Sequence, residues 1–226
     1  MSEQLTFDLP QRTAQGRDDF FVSPANALAV AQMDDWQNWP QRKLVLVGPE
    51  GAGKTHLTHV WADICGARVI NGADILTTDV ASLAGGGAVA VENADRIFGP
   101  KSEATLFHLH NLVLAEGGTL LLTARASPRQ WPLALPDLKS RMEATATATL
   151  EAPDDALLSA LLVKLFTDRQ LQVNPTLIPY LVGRMERSFG DAQRLVAALD
   201  AAALRENRAV TRGLAAQVLD NLNPDG

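Results

Sequence analysis

The chain contains 226 residues, of which 46% are hydrophobic and one is cysteine, and its formal net charge is −6. This length accommodates one large domain and a smaller one with buried cores. No window reaches the ~18 uncharged apolar residues of a membrane-spanning helix, and the first residues do not resemble a signal peptide. A single cysteine excludes an internal disulfide, so we expect a cytoplasmic protein without a membrane partner. The acidic balance and the absence of a Lys/Arg run argue against strong direct DNA binding.

A flexible N-terminal tail is predicted over residues 1–18, which are polar and lack sustained periodicity. Within it, Gln4 is followed by apolar side chains at alternate positions, namely Leu5, Phe7 and Leu9. A disordered end or an edge strand would show the same pattern. The alternative is a peptide that docks in an apolar pocket of a partner, with the glutamine fixing one end. In that interpretation it resembles the Gln-Leu-x-Leu/Phe peptides that bind the DNA sliding clamp of bacterial replication.

A phosphate-binding loop follows the first predicted helix, which runs from Ala25 to about Trp36. The run at 43–47, which alternates Leu and Val after Lys43, predicts a buried parallel strand. It leads into Gly48-Pro49-Glu50-Gly51-Ala52-Gly53-Lys54-Thr55, which fits the pattern of Gly, four residues and Gly-Lys-Thr. The alternative is a chance match, which the preceding strand and the following helix argue against.

The residue types of this loop suit a nucleotide. Glycines let the backbone turn so that successive N–H groups face one anion. Lys54 reaches the β- and γ-phosphates, and the Thr55 hydroxyl is a ligand for Mg²⁺. The helix that continues from His56 directs its positive end toward the phosphates. The predicted nucleotide contacts here are Gly48, Gly51, Ala52, Gly53, Lys54, Thr55 and His56.

The rest of the chain divides into an α/β part and a helical part. Short apolar runs predict strands at 68–70, 88–92, 119–123 and 145–150, and helical spacing predicts a helix over 102–116. Such alternation is typical of a parallel sheet with helices on both faces. Past Glu151 only helical patterns remain. We therefore predict a five-stranded α/β nucleotide-binding domain over 19–152 and a small all-α lid domain over 153–226.

These features together resemble the AAA+ ATPases, and local matches point to the family of the replication initiator DnaA. The segment Phe20–Asn26 is similar to the segment that precedes the family's core, and Leu138-Lys139-Ser140-Arg141-Met142 is similar to its arginine-finger box. Arg125–Gln130 is similar to the stretch after its fourth core strand. No helix-turn-helix segment follows the helical part, and about twenty residues between Ile70 and Val91 leave no room for the initiators' extra helices. The chain therefore looks like the Hda-type regulators, which inactivate DnaA after the replication fork has loaded.

The resemblance implies ADP or ATP as cofactor, with Mg²⁺ held by Thr55 and, partly through water, by Glu92. It also implies nucleotide contacts by Phe21 and Asn26. The family's general base falls on Asn93, which cannot accept a proton at neutral pH, so the assistance of ~10²–10⁴-fold that a general base gives is missing there. Asp95 is not expected to replace it.

This chain also departs from the family at the position of the sensor arginine in the lid. Asp191 occupies its position, and Arg194, one helical turn later, is the candidate substitute. Intrinsic hydrolysis is therefore expected to be slow, with ADP tightly held.

Arg141 is the predicted catalytic residue, acting in trans as an arginine finger on the ATP of a neighbouring protein. The alternative is an ordinary surface arginine that pairs with an acidic residue, an ion pair that contributes ~0–1 kcal/mol to stability. The predicted function is regulation of replication initiation: the tail binds the DNA sliding clamp, and Arg141 stimulates ATP hydrolysis on DnaA. A self-sufficient AAA+ ATPase, acting as a loader or scaffold at the replication origin, is the competing function, and self-association into a homo-oligomer is left open. The histidine pairs His56/His59 and His108/His110 lack further ligands and predict no metal site.

Overall fold

A five-stranded parallel sheet forms the centre of the computed structural model, which describes residues 22–222. The sheet order is β2-β3-β4-β1-β5, and every neighbouring pair is parallel. The first, third and fourth strands follow the apolar runs seen in the sequence, whereas β5 is shorter than predicted. The strands are β1 Lys43–Val47, β2 Arg68–Asn71, β3 Ala88–Glu92, β4 Thr119–Ala124 and β5 Thr147–Thr149. The predicted fold class is confirmed.

Helices cover both faces of the sheet, as the fully buried central strands require. The helices of this part are α1 Ala27–Asp34, α2 Lys54–Cys65, α3 Val80–Ala84, α4 Pro100–Ala115 and α5 Pro136–Glu143. Side chains of α1 and α2 form one core with one face of the sheet. Side chains of α3, α4 and α5 form a second core with the other face. The short helices α3 and α5 were not predicted as helices.

Four helices follow the sheet and enclose a separate apolar core. They are α6 Asp155–Asp168, α7 Leu177–Val182, α8 Phe189–Glu206 and α9 Arg212–Leu222. The Asp154 carboxylate caps α6 by accepting from the Leu157 N–H at 2.7 Å, and the Ser188 hydroxyl caps α8 by accepting from the Asp191 N–H at 3.2 Å. We call this bundle the lid.

Several predicted site residues lie outside the described part of the chain. They are Gln4, Leu5, Phe7 and Leu9 of the tail and Phe21 of the segment before α1. Within residues 22–222, none of the helices combines the length and the apolar character needed to cross a bilayer.

Candidate nucleotide-binding site

The predicted phosphate-binding loop connects the carboxyl end of β1 to the first turn of α2. Gly51 and Gly53 adopt φ values of 74° and 91°, in the left-handed region that favours glycine. Gly48 has no space for a side chain, since an added Cβ would lie 2.6 Å from the Leu150 carbonyl oxygen. The glycines of the motif are therefore required by the shape of the loop.

Lys54 and the start of α2 supply the positive end of this site. Lys54 is buried, and its ammonium donates to the carbonyl oxygens of Gly48 at 2.7 Å and Pro49 at 2.8 Å. No side chain caps the first turn of α2, so its N–H groups remain available to an anion. Thr55 is exposed and His56 half-buried in the same turn, and Ala52 is buried beneath the loop.

Charged side chains of the loop itself and of the ends of β3 and β4 act on the Lys54 ammonium. Burial lowers the pKa of the lysine, and the positive charge of Arg125 lowers this pKa further. The negative charges of Asp95, Glu50 and Glu92 raise this pKa in opposition, although none of the three forms an ion pair with Lys54. Arg125 itself forms an ion pair with Glu50 of the loop. Both Arg125 and Asp95 are thus part of the site, although the sequence analysis gave neither a role.

The end of β3 explains how Asp95 reaches the site. Asn93 follows the strand with a φ of 55°, and a turn of 3₁₀ helix at Ala94–Arg96 brings Asp95 back to the sheet edge. There its Oδ2 accepts a hydrogen bond of 2.8 Å from the Arg125 N–H at the end of β4. The Thr123 hydroxyl accepts from the Asn93 N–H at 3.1 Å. The Asp95 carboxylate therefore lies at the same end of the sheet as Asn93, the residue at the position of the family's general base.

The carboxylates fit a hydrated cation held jointly with phosphate. Glu92 Oε1 and Asp95 Oδ1 are buried and receive no hydrogen bond within residues 22–222, and Mg²⁺ prefers oxygen ligands together with retained water. The same part of the chain contains no cluster of three His, Cys, Asp or Glu side chains that could bind a metal alone. Thr55 and Glu92 could thus hold Mg²⁺ only together with nucleotide oxygens and water.

The start of α8 packs directly on the phosphate-binding loop. The Phe189 N–H donates to the Gly51 carbonyl oxygen at 3.0 Å, and the Phe189 ring lies 3.3 Å from the position of a Cβ on Gly53. Ser188 lies closer still, with its Oγ 2.3 Å from a Cβ built on Gly51. Sequence analysis missed both lid residues because their contact joins segments more than 130 positions apart. The start of the lid is therefore in direct contact with the phosphate-binding loop.

Arg194 and Asn26 have protein partners in this structure. Arg194 forms an ion pair with Asp191, one turn earlier on α8. A Cβ on Gly190 would lie 3.7 Å from the Arg194 guanidinium and 3.6 Å from Ser188 Oγ, so the arginine is near the lid residues that contact the loop. Asn26 is buried, and its side-chain oxygen accepts from the Ser23 N–H at 2.8 Å. Contacts of either residue with a nucleotide stay predictions.

Arg141 lies in the last turn of α5 and is exposed. Within residues 22–222 it has no ion-pair partner. Its carbonyl oxygen accepts a 3.1 Å hydrogen bond from Lys43 Nζ, at the amino end of β1, whereas the phosphate-binding loop follows the opposite end of that strand. The Arg141 backbone and Lys54 are therefore at opposite ends of β1.

No protein-family model matches this chain. Among solved structures, it is similar to domain III of the replication initiation protein DnaA from Thermotoga maritima, with a TM-score of 0.79 and 18% identity over 92% of this chain and 96% of that one. AMPPCP-bound DnaA from Aquifex aeolicus gives a TM-score of 0.67 and 17% identity, over 84% of this chain and 67% of that one. A RuvB variant from Thermotoga maritima gives 0.67 and 18%, over 88% and 67%. At these identities the likeness shows the fold alone, a five-stranded parallel sheet covered by helices and followed by a helical bundle.

Proposed function

We propose that this protein is a nucleotide-binding regulator of chromosome replication initiation that supplies Arg141 to the ATP site of an initiator such as DnaA. The observation that carries the proposal is the position of Arg141, exposed and without an ion-pair partner in the described part of the chain, at the sheet edge opposite the phosphate-binding loop. The strand that separates them spans about 13 Å. An arginine placed there serves a molecule other than the nucleotide of its own chain.

The protein's own nucleotide, ADP or ATP, is held by the loop between β1 and α2. The loop amides and the uncapped start of α2 bind the phosphates, and Lys54 exchanges its contacts with the Gly48 and Pro49 carbonyls for phosphate oxygens. Thr55 and Glu92 are the side chains that would hold Mg²⁺, which neutralises phosphate charge when bound. One similar structure, DnaA from Aquifex aeolicus, contains AMPPCP, which supports this assignment.

Slow hydrolysis of this nucleotide follows from two features of the site. Asn93 cannot act as a general base, and Arg194 is held by Asp191 rather than offered to the loop. Since Phe189 and Ser188 contact the loop at Gly51 and Gly53, the bound nucleotide sets the position of the lid. The nucleotide thus has a structural role, and catalysis is exerted on the partner's triphosphate.

The arginine finger acts by electrostatic stabilisation. A guanidinium placed against a transferring phosphoryl group stabilises the charge of the transition state, and such fingers are worth ~10³–10⁵ in rate on other P-loop systems. The tail residues Gln4, Leu5, Phe7 and Leu9 are proposed to bind the DNA sliding clamp. Tethering would raise the concentration of Arg141 near replicating DNA without base contacts, which is compatible with a net charge of −6.

The finger is tested by ATP hydrolysis in a mixture of this protein, sliding clamp, DNA and ATP-loaded initiator. Arg141→Ala should abolish the stimulated hydrolysis, because no other group replaces the guanidinium. Arg129→Ala, which removes an exposed arginine from the preceding 3₁₀ turn, should stimulate as the parent does. Full stimulation by Arg141→Ala refutes the finger.

The tether is tested separately by a pull-down on the sliding clamp. Replacing Gln4 and Leu5 by alanine should abolish capture by the clamp while leaving nucleotide binding intact. Capture that is unchanged by these substitutions would show that the clamp, if it binds, binds elsewhere.

A self-sufficient AAA+ ATPase, acting as a loader or scaffold at the origin, is the second candidate. The observation that favours it is Asp95, whose carboxylate lies near Lys54 and leaves Oδ1 without a hydrogen-bond donor within residues 22–222. In this candidate Asp95 orients the attacking water in place of Asn93. Steady turnover by the isolated protein, lost in both Lys54→Ala and Asp95→Asn, would establish it, and absence of turnover would exclude it.

A further inference from the structure

Two buried charges flank α5, the helix that carries Arg141, and the proposed function uses neither. Lys43 on β1 and Glu103 on α4 are each only 1% exposed. Neither forms an ion pair with another described side chain. Burying an ammonium or a carboxylate away from water costs free energy unless hydrogen bonds compensate. Both residues therefore need a structural reason, and their hydrogen bonds supply it.

Lys43 caps the carboxyl end of α5. The Arg141 carbonyl is among the last four of the helix, which have no N–H partner within it. It accepts instead from Lys43 Nζ at 3.1 Å and from the Thr145 hydroxyl at 2.8 Å. An ammonium at this end is also favoured by the helix dipole. The backbone of the arginine itself is thus held by a side chain from the central sheet.

His110 completes the surroundings of the Lys43 ammonium. Its Nε2 lies 3.3 Å from Lys43 Nζ, and its Nδ1 lies 3.1 Å from the side-chain oxygen of Asn111. An imidazole that donates through Nδ1 to Asn111 has Nε2 free to accept from the ammonium. Burial lowers the pKa of His110, and the charges of Lys43 and Arg141 lower it further. The ring is therefore a neutral acceptor for the lysine.

Glu103 holds the opposite end of α5. Its Oε2 accepts from the Ala134 N–H at 2.9 Å and the Leu135 N–H at 2.7 Å, immediately before the helix begins. Its Oε1 accepts from the Gly99 N–H at 3.0 Å. A negative charge at the amino end is the sign that the helix dipole favours. The two ends of α5 are thus fixed by opposite buried charges.

We propose that Lys43 and Glu103 are positioning residues that fix α5 at both ends, so that Arg141 enters the partner's ATP site from a preset position. This inference rests on the proposed function. A finger on a loosely held helix would lose its alignment with the transferring phosphoryl group, and a misplacement of about 1 Å can cost ~10²-fold in rate. Lys43 contacts no nucleotide, so its effect is exerted through the backbone of Arg141.

Lys43→Met tests the inference because methionine keeps the length of the side chain and removes its charge. In the clamp, DNA and initiator assay, we expect the maximal stimulated rate to fall about 10- to 100-fold. The half-saturating protein concentration should stay within about twofold, because the finger acts on the transition state and adds little to ground-state binding. The thermal unfolding midpoint should fall by only a few degrees, because buried His110 Nε2 loses its donor, and the assay is run well below that midpoint. Lys101→Met, which changes an exposed lysine of α4, is the matched control.

Thr145→Val provides a second variant that alters no charge. It removes the other donor to the Arg141 carbonyl and should lower the maximal rate several-fold. A parental maximal rate in Lys43→Met overturns the inference. If Lys43→Met does not fold, a parental rate in Glu103→Gln, which weakens the acceptor at the other end of α5, overturns it instead. Failure of the function itself gives a different result, since the parent would then not stimulate hydrolysis or Arg141→Ala would stimulate fully. A rise in half-saturating concentration with an unchanged maximal rate would assign Lys43 to partner binding and overturn the positioning role.

Discussion

Gly51→Ala is expected to break the contact between the phosphate-binding loop and the lid. The φ of 74° at this position makes an alanine cost about 1–2 kcal/mol through backbone strain alone. Its Cβ would also lie 2.3 Å from Ser188 Oγ, whereas ordinary contact begins near 3.4 Å, so Ser188 has to retreat by roughly 1 Å. That retreat breaks the 3.0 Å hydrogen bond from Phe189 to Gly51, worth about 1 kcal/mol.

Gly66→Ala is the control that isolates the lid contact from the backbone strain. Gly66 ends α2 with a φ of 71°, and no atom lies within 4 Å of an added Cβ. In urea unfolding, we expect Gly66→Ala to lose about 1–2 kcal/mol and Gly51→Ala about 2–3 kcal/mol. In calorimetric titration with ADP, Gly51→Ala should bind at least ~10-fold more weakly, a loss of about 1.4 kcal/mol, and Gly66→Ala should match the parent. Equal effects of the two variants on ADP affinity would refute the coupling of lid and loop.

Two further predictions concern the groups around α5. Burial holds the pKa of His110 below its ordinary value of 6.5, so acidification protonates the unfolded chain first. The free energy of unfolding should therefore fall as the pH drops through about 6.5 and continue to fall until the folded-state pKa is passed. Urea unfolding between pH 5 and 7.5 measures this slope, and a slope that persists undiminished in His110→Gln would contradict the assignment. Glu103→Ala leaves three backbone N–H groups without their acceptor and should cost about 3–5 kcal/mol. Glu116→Ala, on the exposed residue that follows α4, should change stability by less than about 0.5 kcal/mol, and similar losses in both variants would contradict the role of Glu103 as acceptor for these N–H groups.

The fold was predictable because its signals are local. The apolar runs that became β1, β3 and β4 have no competing helical period, and the loop from Gly48 to Thr55 depends on residue types that few other structures need. The lid helices show apolar residues at helical spacing, and the first of them begins after a recognisable cap, Asp154. Each of these features is decided by residues within one or two turns of chain.

The organisation of the site was less predictable because it depends on contacts between distant segments. Asp95 turns back to the end of β4, where it accepts from the Arg125 N–H, only because Asn93 adopts a φ of 55°. Asparagine adopts this conformation more readily than most residues, but its presence in a sequence does not predict it. Lys43 at a strand end would ordinarily extend to water, and its burial follows from α4 and α5 packing over it. Phe189 looks like a lid core residue by its spacing, yet its ring also lies against Gly53.

A bound nucleotide could control this protein by two routes. One runs along β1 from the phosphate-binding loop to Lys43 and the helix of Arg141, and the other runs through the lid. Residues 43–46 of β1 are at most 2% exposed, so a shift of this strand along its axis would have to displace the close-packed side chains on both of its faces. The lid, by contrast, touches the loop through Ser188 and Phe189. We therefore expect exchange of ADP for a non-hydrolysable ATP analogue to change the half-saturating concentration in the stimulated-hydrolysis assay, through the lid surface, and to leave the maximal rate unchanged. A maximal rate that follows the bound nucleotide, at constant half-saturating concentration, would show that the signal passes along β1 to Arg141 instead.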